Sequence, residues 1–390
     1  MSFYEGAYFF TCLGIGLIPA ICLGIAEKPI KLYGGVLSIL FLILVFKDKP
    51  IQLAYLALYL VLMLWIIAYY LKLRKRYGRN KFLYKLFLAL ALAPLVISKI
   101  AGLFDGNLFA FLGISYITFK IVQVVIETYD GIIEQVKLVD LLCFILFFPS
   151  FSSGPIDRSR RFFGDLNDIP SKKEYFNLLG TGLQKICLGL VYKFVISAIL
   201  YGYLNSIFAE NYDLLHTIGY AYCYGFYLFF DFAGYSLMAV GVSYILGIKT
   251  PDNFKWPFIS KDIADFWNRW HISLSHWFRD FIFSRFMVNA IRGKWFKKKL
   301  NGACVGLIIN MTIMGVWHGL TSYYIAYGIY HGVLLAATEI WQKKSPIHKK
   351  YKKKKGYIVL SWFVTINLVM LGFLIFSGHG NVVLGAWIGK

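Results

Sequence analysis

Charged residues are scarce in this sequence, and acidic residues are the scarcest. Asp and Glu number 20 against 41 Lys and Arg, and charged residues make up 16% of the 390 residues while hydrophobic residues make up 58%. An ordinary soluble domain carries more charge than this, because charged residues average about a quarter of a globular chain. The composition therefore excludes an ordinary soluble protein and indicates a polytopic membrane protein.

Several short motifs typical of catalytic or nucleotide-binding sites are also missing. No GxSxG, HExxH, P-loop or GxGxxG pattern occurs. The 6 cysteines stand singly in apolar runs, with no CxxC and no metal-ligand spacing, so we interpret them as small residues in helix contacts and expect no metal. Because the first seven residues contain Glu5 but no Lys or Arg, a cleavable signal peptide is not expected either.

Apolar runs fill most of the chain. A helix needs about 20 residues to cross a hydrocarbon core of about 30 Å. Runs of roughly that length lie at 8–25, 33–46, 53–71, 82–100, 108–126, 176–208, 218–248, 305–320, 323–341 and 357–376. The run 138–151 is too short to cross and ends near Pro149, which favours a re-entrant or interfacial element. The sequence therefore predicts one all-α transmembrane domain over 1–390, with the tail 377–390 unassigned.

The excess positive charge is concentrated in three blocks, at 72–85, 285–300 and 342–355. Short loops rich in Lys and Arg stay on the cytoplasmic side, where they also meet anionic lipid. This distribution argues against nucleic-acid binding. It predicts a multi-pass protein of the cell membrane with its N-terminus outside. A docking surface for an acidic carrier protein is the more specific interpretation of these blocks.

Two histidines lie in apolar surroundings. The stretch FWNRWHISLSHWFRD at 266–280 predicts one amphipathic helix, with Trp267 and Trp270 on its apolar stripe and His271 at the edge of that stripe. His318 follows in MGVWHGL. A lone histidine of this kind is usually a hydrogen-bonded core residue. Since no serine or cysteine nucleophile is evident, a histidine acting as general base on a hydroxyl is the most economical chemistry.

Ionisable or phenolic side chains also interrupt the apolar segments, where a charge costs about 2.5–3.5 kcal/mol and usually faces a cavity or a partner. They are Lys120 with Glu127, Asp231 with Tyr235, and Asp157 with Arg158. The first pair fits either an internal network or the wall of a substrate path. In the second pair the carboxylate fits either a histidine or a cation as partner. The third pair fits an ordinary loop ion pair or a bracket around an anionic group.

Four segments together resemble the membrane-bound O-acyltransferase (MBOAT) family: FFPSFSSGPIDRSRRF (147–162), FFDFAGYSLMAVG (229–241), FWNRWHISLSHWFRDFIF (266–283) and MGVWHGL (314–320). Within the family, the pattern is similar to the branch that attaches D-alanine to teichoic acids of Gram-positive bacteria. The resemblance implies a ring of about 10–12 transmembrane helices with additional re-entrant or interfacial helices. It also implies a funnel open to the outside.

The resemblance further implies that His318 is the catalytic histidine and His271 the second family histidine. The acyl donor would be D-alanine held as a thioester on the phosphopantetheine arm of a small acidic carrier protein, with no cofactor bound by the chain itself. The acceptor would be lipoteichoic or teichoic acid outside the cell, reached directly or through a small membrane partner of the same operon.

Two groups of residues are expected to serve this reaction. Trp270, Asn268 and Trp317 would join the six ionisable or phenolic residues along the substrate path, and the carrier would dock on Arg285, Arg292, Lys294 and Lys297. Two alternatives stay open at this point. One is an O-acetyltransferase of an exported polysaccharide, and the other is a non-enzymatic lipid or substrate transporter, although no inverted repeat is evident.

Overall fold

The computed structural model describes residues 3–104, 110–208 and 212–388, and the regular structure in these ranges is helical. The α-helices in chain order are α1 (Ala7–Ile25), α2 (Lys31–Phe46), α3 (Pro50–Tyr77), α4 (Lys81–Ala101), α5 (Ile114–Asp130), α6 (Leu138–Leu146), α7 (Ser159–Asn167), α8 (Lys172–Val191), α9 (Ser197–Tyr203), α10 (Leu214–Ile245), α11 (Ile263–Trp267), α12 (Ile272–Phe278), α13 (Ser284–Arg292), α14 (Lys299–His318), α15 (Ser322–Lys344), α16 (Pro346–Tyr351), α17 (Lys355–Phe376) and α18 (His379–Ile388).

Within the described residues, 7 helical segments are long and apolar enough to cross a membrane. They are Ala7–Ile25, Pro50–Tyr77, Lys81–Phe104, Lys172–Ile207, Leu214–Ile245, Lys299–His318 and Lys355–Phe376. The expected all-α membrane class is confirmed. At 16 and 17 residues, α2 and α5 are shorter than a full crossing requires. The ring of helices, the outward funnel and the side on which the N-terminus lies stay predictions.

The described chain divides into two compact units. The first consists of Met1–Leu190 with Tyr235–Pro251, and the second of Val191–Gly234 with Asp252–Lys390. The long helix α10 contributes its first part to the second unit and its last part to the first. The expectation of a single domain stays a prediction.

The core of the first unit is α5. Of its 17 residues, all but Ser115 and Asp130 are buried, as expected for a helix enclosed by protein on every side. Tyr59 of α3 shares a hydrogen bond of 2.9 Å with Thr118 at its centre. The segment after it is short, since α6 has only 9 residues and ends before Pro149, and its re-entrant or interfacial placement stays a prediction.

In the second unit, α14 and α15 approach each other backbone to backbone. A Cβ atom added at Gly328 would lie 2.5 Å from the carbonyl oxygen of Met311, and one at Gly315 would lie 2.4 Å from the carbonyl oxygen of Tyr324. Only glycine has room at such positions, and small residues at helix interfaces allow this close approach in membrane proteins. This contact fixes the end of α14, where His318 lies, against the beginning of α15.

The structure corrects one prediction, because 266–280 is not a continuous helix. The chain leaves α11 after Trp267, and His271 adopts a left-handed conformation (φ 44°, ψ 52°) before α12 begins. Left-handed geometry costs an ordinary residue about 1–2 kcal/mol. Backbone hydrogen bonds offset this cost: Lys255 N donates to Arg269 O at 3.0 Å and Ile272 N donates to Asn253 O at 2.8 Å.

Candidate active site

His318 is the last residue of α14, and aromatic rings surround its imidazole. The ring centroids of Trp317, Tyr324, Tyr327 and Phe376 lie 4.6, 6.0, 6.4 and 5.1 Å from that of His318. Two of these rings come from α15 and one from α17, so the imidazole is held by three different helices. Its side chain is half-buried, which leaves one edge accessible.

His271 is held by the break between α11 and α12. The residue is 4% exposed, and its imidazole meets Phe232 of α10 edge to face at 4.7 Å between ring centroids. The segment beyond the break is anchored by Asn253, whose side-chain oxygen accepts hydrogen bonds from Ser273 Oγ at 2.6 Å and Ser273 N at 3.3 Å. The unusual backbone therefore aims the imidazole into the protein.

Both histidines line the same small cavity. Its volume is about 60 Å³, and its wall is otherwise apolar or aromatic, with Trp267, Trp270, Tyr327, Phe373 and Phe376 among the lining residues. A single water molecule needs about 10–15 Å³ of such space, so the cavity has room for a small group of atoms. Such a space suits one reacting group between two imidazoles.

The surroundings keep His271 neutral. Burial lowers the pKa of its imidazole to about 3, and the proximity of His318 adds to the effect. A positive charge on either imidazole opposes protonation of the other, and the apolar wall opposes any charge at all. A neutral imidazole at physiological pH is the state that can accept a proton from a hydroxyl. Among the described residues, no cluster of three or more His, Cys, Asp or Glu could hold a metal ion.

This pair of histidines lies within a segment that matches a known family. Residues 38–378 match the profile of MBOAT, the membrane-bound O-acyltransferase family. The chain belongs to the MBOAT family.

The MBOAT relatives divide into two groups by similarity. The teichoic acid D-alanyltransferases of Bacillus subtilis and Lacticaseibacillus rhamnosus are 42% and 37% identical to this chain, over 97% and 96% of it and over 98% and 96% of their own lengths. The probable alginate O-acetylase AlgI of Pseudomonas syringae is 32% identical over 71% of this chain and 51% of its own length. The expectation of a membrane-embedded acyltransferase is confirmed.

Three further residues were expected along the substrate path near the two histidines, and they differ in whether they line the cavity. Trp270 lines the cavity as expected. The ring of Trp317 contacts that of His318, although Trp317 is not among the residues lining the cavity. Asn268 is exposed in the break after α11 and does not line the cavity either.

Asp231 and Tyr235, the second polar pair predicted from the sequence, bind different partners. Asp231 forms an ion pair of 2.6 Å with Lys193, so a cation rather than a histidine is its partner. Lys193 was not anticipated, because it lies in a distant apolar run with no local signal of pairing. Tyr235 lies in the first unit and shares a hydrogen bond of 2.7 Å with Ser152.

The other predicted path residues form a buried network in the first unit. Asp157 is 2% exposed and forms an ion pair with Arg161, whose Nε donates to Asp157 Oδ1 at 2.8 Å. Burial raises the pKa of Asp157, and the guanidinium of Arg161 opposes that rise. Arg158 instead reaches Gln123, at 3.3 Å. These contacts favour an ordinary ion pair of Asp157 over a bracket around an anionic group.

Lys120 and Glu127 bind different partners in the same network. Lys120 is 1% exposed and donates to the carbonyl oxygen of Phe144 at 2.9 Å and to Ser150 Oγ at 3.3 Å. Glu127 accepts a hydrogen bond of 2.6 Å from Ser159 Oγ. These contacts favour the internal-network interpretation of the pair over a substrate path.

The expected docking residues lie on and after α13. Arg292, Lys294 and Lys297 are exposed, whereas Arg285 is half-buried. Exposed apolar side chains accompany them, since Val288 is 45% and Trp295 59% exposed. The surface therefore offers both charge and apolar contact area.

One cavity residue, Tyr327, was not predicted from the sequence, and it packs against a third buried histidine, His331. Tyr327 lies between the rings of His318 and His331, at 6.4 and 4.6 Å between ring centroids. His331 is 0% exposed and packs against Trp267 at 5.3 Å. Their spacing could have predicted this contact, because Tyr327 and His331 are four residues apart and so share one helix face.

Proposed function

We propose that this protein transfers D-alanine to hydroxyl groups of teichoic acids, with His318 as the general base. The observation that carries the proposal is the pairing of His318 with a neutral His271 in one apolar cavity. The full-length similarity to relatives named as teichoic acid D-alanyltransferases supports D-alanine as the acyl group.

We propose the following reaction. The donor is a D-alanyl thioester on the phosphopantetheine arm of a carrier protein. The neutral imidazole of His318 takes the proton of an acceptor hydroxyl as its oxygen attacks the thioester carbonyl carbon. The carbon–oxygen bond forms, the carbon–sulfur bond of the tetrahedral intermediate breaks, and the departing thiolate takes the proton from the imidazolium. A well-placed base of this kind typically contributes about 10²–10⁴-fold to the rate.

His271 is assigned a positioning role. Its imidazole is more deeply buried than that of His318, and its low pKa makes it a weak base. It forms the opposite wall of the cavity and keeps that wall uncharged. A protonated His318 therefore meets no opposing charge on His271, but the apolar wall disfavours its imidazolium, which favours rapid return of the proton to the leaving thiolate.

The carrier is proposed to dock on the surface formed by Arg292, Lys294 and Lys297. These side chains are exposed and positively charged, so they suit an acidic protein. The exposed Trp295 between them supplies an aromatic contact of the kind enriched at protein interfaces.

The test measures D-alanine ester on the envelope of a deletion strain carrying wild type, His318→Ala, His271→Ala or the control His216→Ala at matched membrane levels. His216 contacts Asp213 and does not line the cavity. We expect wild type and His216→Ala to restore the ester and His318→Ala to leave it at the level of the empty strain. Restoration by His318→Ala would refute the assigned base, and failure of wild type would refute the assigned acyl group.

A second candidate is O-acetylation of an exported polysaccharide. The similarity to the probable alginate O-acetylases over 71% of this chain favours it. Mild alkaline release from the complemented envelope distinguishes the two reactions, because it yields D-alanine in one case and acetate in the other.

A further inference from the structure

A groove lies in the second unit at the lysine-rich end of α15 and α17, away from both histidines. Its volume is about 410 Å³, and it is formed by α15, α16, α17 and the beginning of α11. The proposed acyl transfer makes no use of it.

The groove has an apolar part and a polar mouth. Leu334, Leu360 and Val364 belong to the apolar part, and Gln342 and Tyr357 to the mouth. Along α15 it extends from Leu334 to Gln342, and along α17 from Tyr357 to Leu368, or about 12 and 16 Å at a rise of about 1.5 Å per residue. One leaflet of a bilayer has a hydrocarbon thickness of about 15 Å, so the groove has the length of one leaflet.

The groove opens beside exposed apolar side chains of a candidate membrane-crossing helix. Leu360 is 60% and Val364 47% exposed on α17, a helix apolar and long enough to cross a membrane. At the mouth, the indole nitrogen of Trp341 donates to the hydroxyl of Tyr357 at 2.9 Å, and His348 Nδ1 lies 3.0 Å from the same hydroxyl. Tryptophan and tyrosine are enriched at the level of lipid headgroups, which places the mouth at the membrane interface.

Lysines lie close in the sequence to the mouth residues Gln342, His348 and Tyr357. Residues 343–355 contain eight lysines, and Lys349, Lys350, Lys352 and Lys353 are exposed. In the described part of the chain, Lys343 is paired with Glu339, but no carboxylate forms an ion pair with Lys349, Lys352 or Lys353. The acid at the mouth, Asp262, already accepts hydrogen bonds from Gln342 and from Asp265 N. The mouth therefore suits an anion.

We propose that this groove binds one anionic phospholipid of the adjacent leaflet. Its acyl chain lies along Leu334, Leu360 and Val364, and its phosphate meets the lysines beside His348. Basic pockets between membrane helices hold anionic headgroups in this manner. An acidic soluble protein would be attracted by the same charge, but it could not fill the apolar part, which lies along a membrane-crossing helix.

The test is native mass spectrometry of the purified full chain in detergent, titrated with phosphatidylglycerol or with phosphatidylcholine of the same acyl chains. We expect wild type to bind one phosphatidylglycerol at least tenfold more tightly than phosphatidylcholine. Lysines near a membrane surface contribute roughly fivefold each to binding of anionic lipid. The variant Lys349→Gln/Lys352→Gln/Lys353→Gln should therefore lose at least tenfold for phosphatidylglycerol and change little for phosphatidylcholine.

Two further variants separate the headgroup from the acyl chain. Ala337→Trp fills the exposed apolar wall and should weaken both lipids. The control Lys72→Gln/Lys75→Gln/Lys85→Gln removes the same charge from another exposed basic block and should bind like wild type. Equal losses in the two lysine variants, or an unchanged preference for phosphatidylglycerol in the first, would overturn the proposal.

A last measurement distinguishes a lipid from the carrier as occupant. Acyl transfer is assayed in lipid-free detergent with the first lysine variant. An unchanged KM for the carrier supports the lipid site. A raised KM together with unchanged phosphatidylglycerol binding would assign these lysines to the carrier and refute the lipid site. Because the lipid titration needs no acyl transfer, its outcome does not depend on the proposed function.

Discussion

Replacing Gly328 by alanine should force α14 and α15 apart. The new Cβ would lie 2.5 Å from Met311 O, 3.0 Å from Gly315 Cα and 3.1 Å from Gly315 N, all of them backbone atoms that cannot rotate away. Ordinary contact begins at 3.4 Å, so the helices must separate locally by about 0.9 Å, from 2.5 to 3.4 Å. Overpacking of this kind costs about 1–3 kcal/mol.

The separation should also reduce activity. His318 is at the end of α14, and its ring is positioned against Tyr324 and Tyr327 of α15. A displacement of about 1 Å in a catalytic group can lower the rate by about 100-fold. We therefore expect Gly328→Ala to lower both the melting temperature in detergent and the yield of acyl ester at matched protein levels.

The matched control is Gly180→Ala in α8. A Cβ at Gly180 would meet no atom within 4 Å, and alanine is favoured over glycine in a helix by about 0.5–1 kcal/mol. This variant should melt at or above the wild-type temperature and keep full activity. A Gly328→Ala protein with wild-type melting and wild-type ester yield would refute the argument that backbone contact positions His318.

Three other predictions concern buried groups. Because the pKa of His271 is about 3 in the folded protein and about 6.5 when unfolded, the unfolded state binds the proton more readily between these values. The free energy of unfolding should be unaffected above about pH 6.5 and should fall by at most about 1.4 kcal/mol per pH unit below it. The variant His271→Asn keeps a residue that tolerates left-handed geometry, so its melting temperature should decline less than that of wild type from about pH 7 to about pH 5. Equal declines in the two proteins would contradict this. Gly372→Ala should lower the melting temperature, since its Cβ would lie 2.4 Å from Nε2 of the enclosed His331, and a temperature equal to wild type would count against that packing. Arg161→Gln should destabilise the protein by at most about 3–5 kcal/mol, because the buried carboxylate of Asp157 then keeps, among the described residues, only the backbone N–H of Arg158 as donor. Adding Asp157→Asn should recover part of the loss, as denaturation of the single and double variants would reveal.

The sequence contained enough information for the membrane class and for the central histidine. Apolar runs long enough to cross a membrane form helices in the structure, because every backbone N–H and C=O group in lipid needs a hydrogen-bond partner. A helix supplies these partners from local hydrogen bonds alone. His318 stood out because few polar residues surround it, and the structure places it with His271 as expected.

The break at His271 could not be read from periodicity. The residues from 266 to 280 have a helical apolar stripe, and their side chains face inward much as that stripe requires. The backbone nevertheless follows hydrogen bonds to Asn253 and Lys255, which belong to a loop preceding α11. A helical wheel considers only residues of one segment, so it could not predict a break caused by hydrogen bonds to another segment.

The sequence analysis also did not predict the ion-pair partners of Asp157 and Asp231, although one of them was easier to predict than the other. Arg161 lies four residues after Asp157 and takes its place on the first turn of α7, so helix spacing alone offered the correct pair. Lys193 and Asp231 are separated by 38 positions, and only the packing of α10 against the π-helical turn Tyr192–Ile196 brings them together. Local spacing cannot predict contacts of that kind.

The cavity wall has a consequence for how the protein is made. Both histidines are synthesised before α17, yet Phe373 and Phe376 of that helix complete the aromatic enclosure around them. A nascent chain still lacking α17 has neither of these rings to cover His271 and His318. The ribosome therefore delivers this part of the water-excluding wall after both histidines, and a chain that stops before residue 373 lacks both rings.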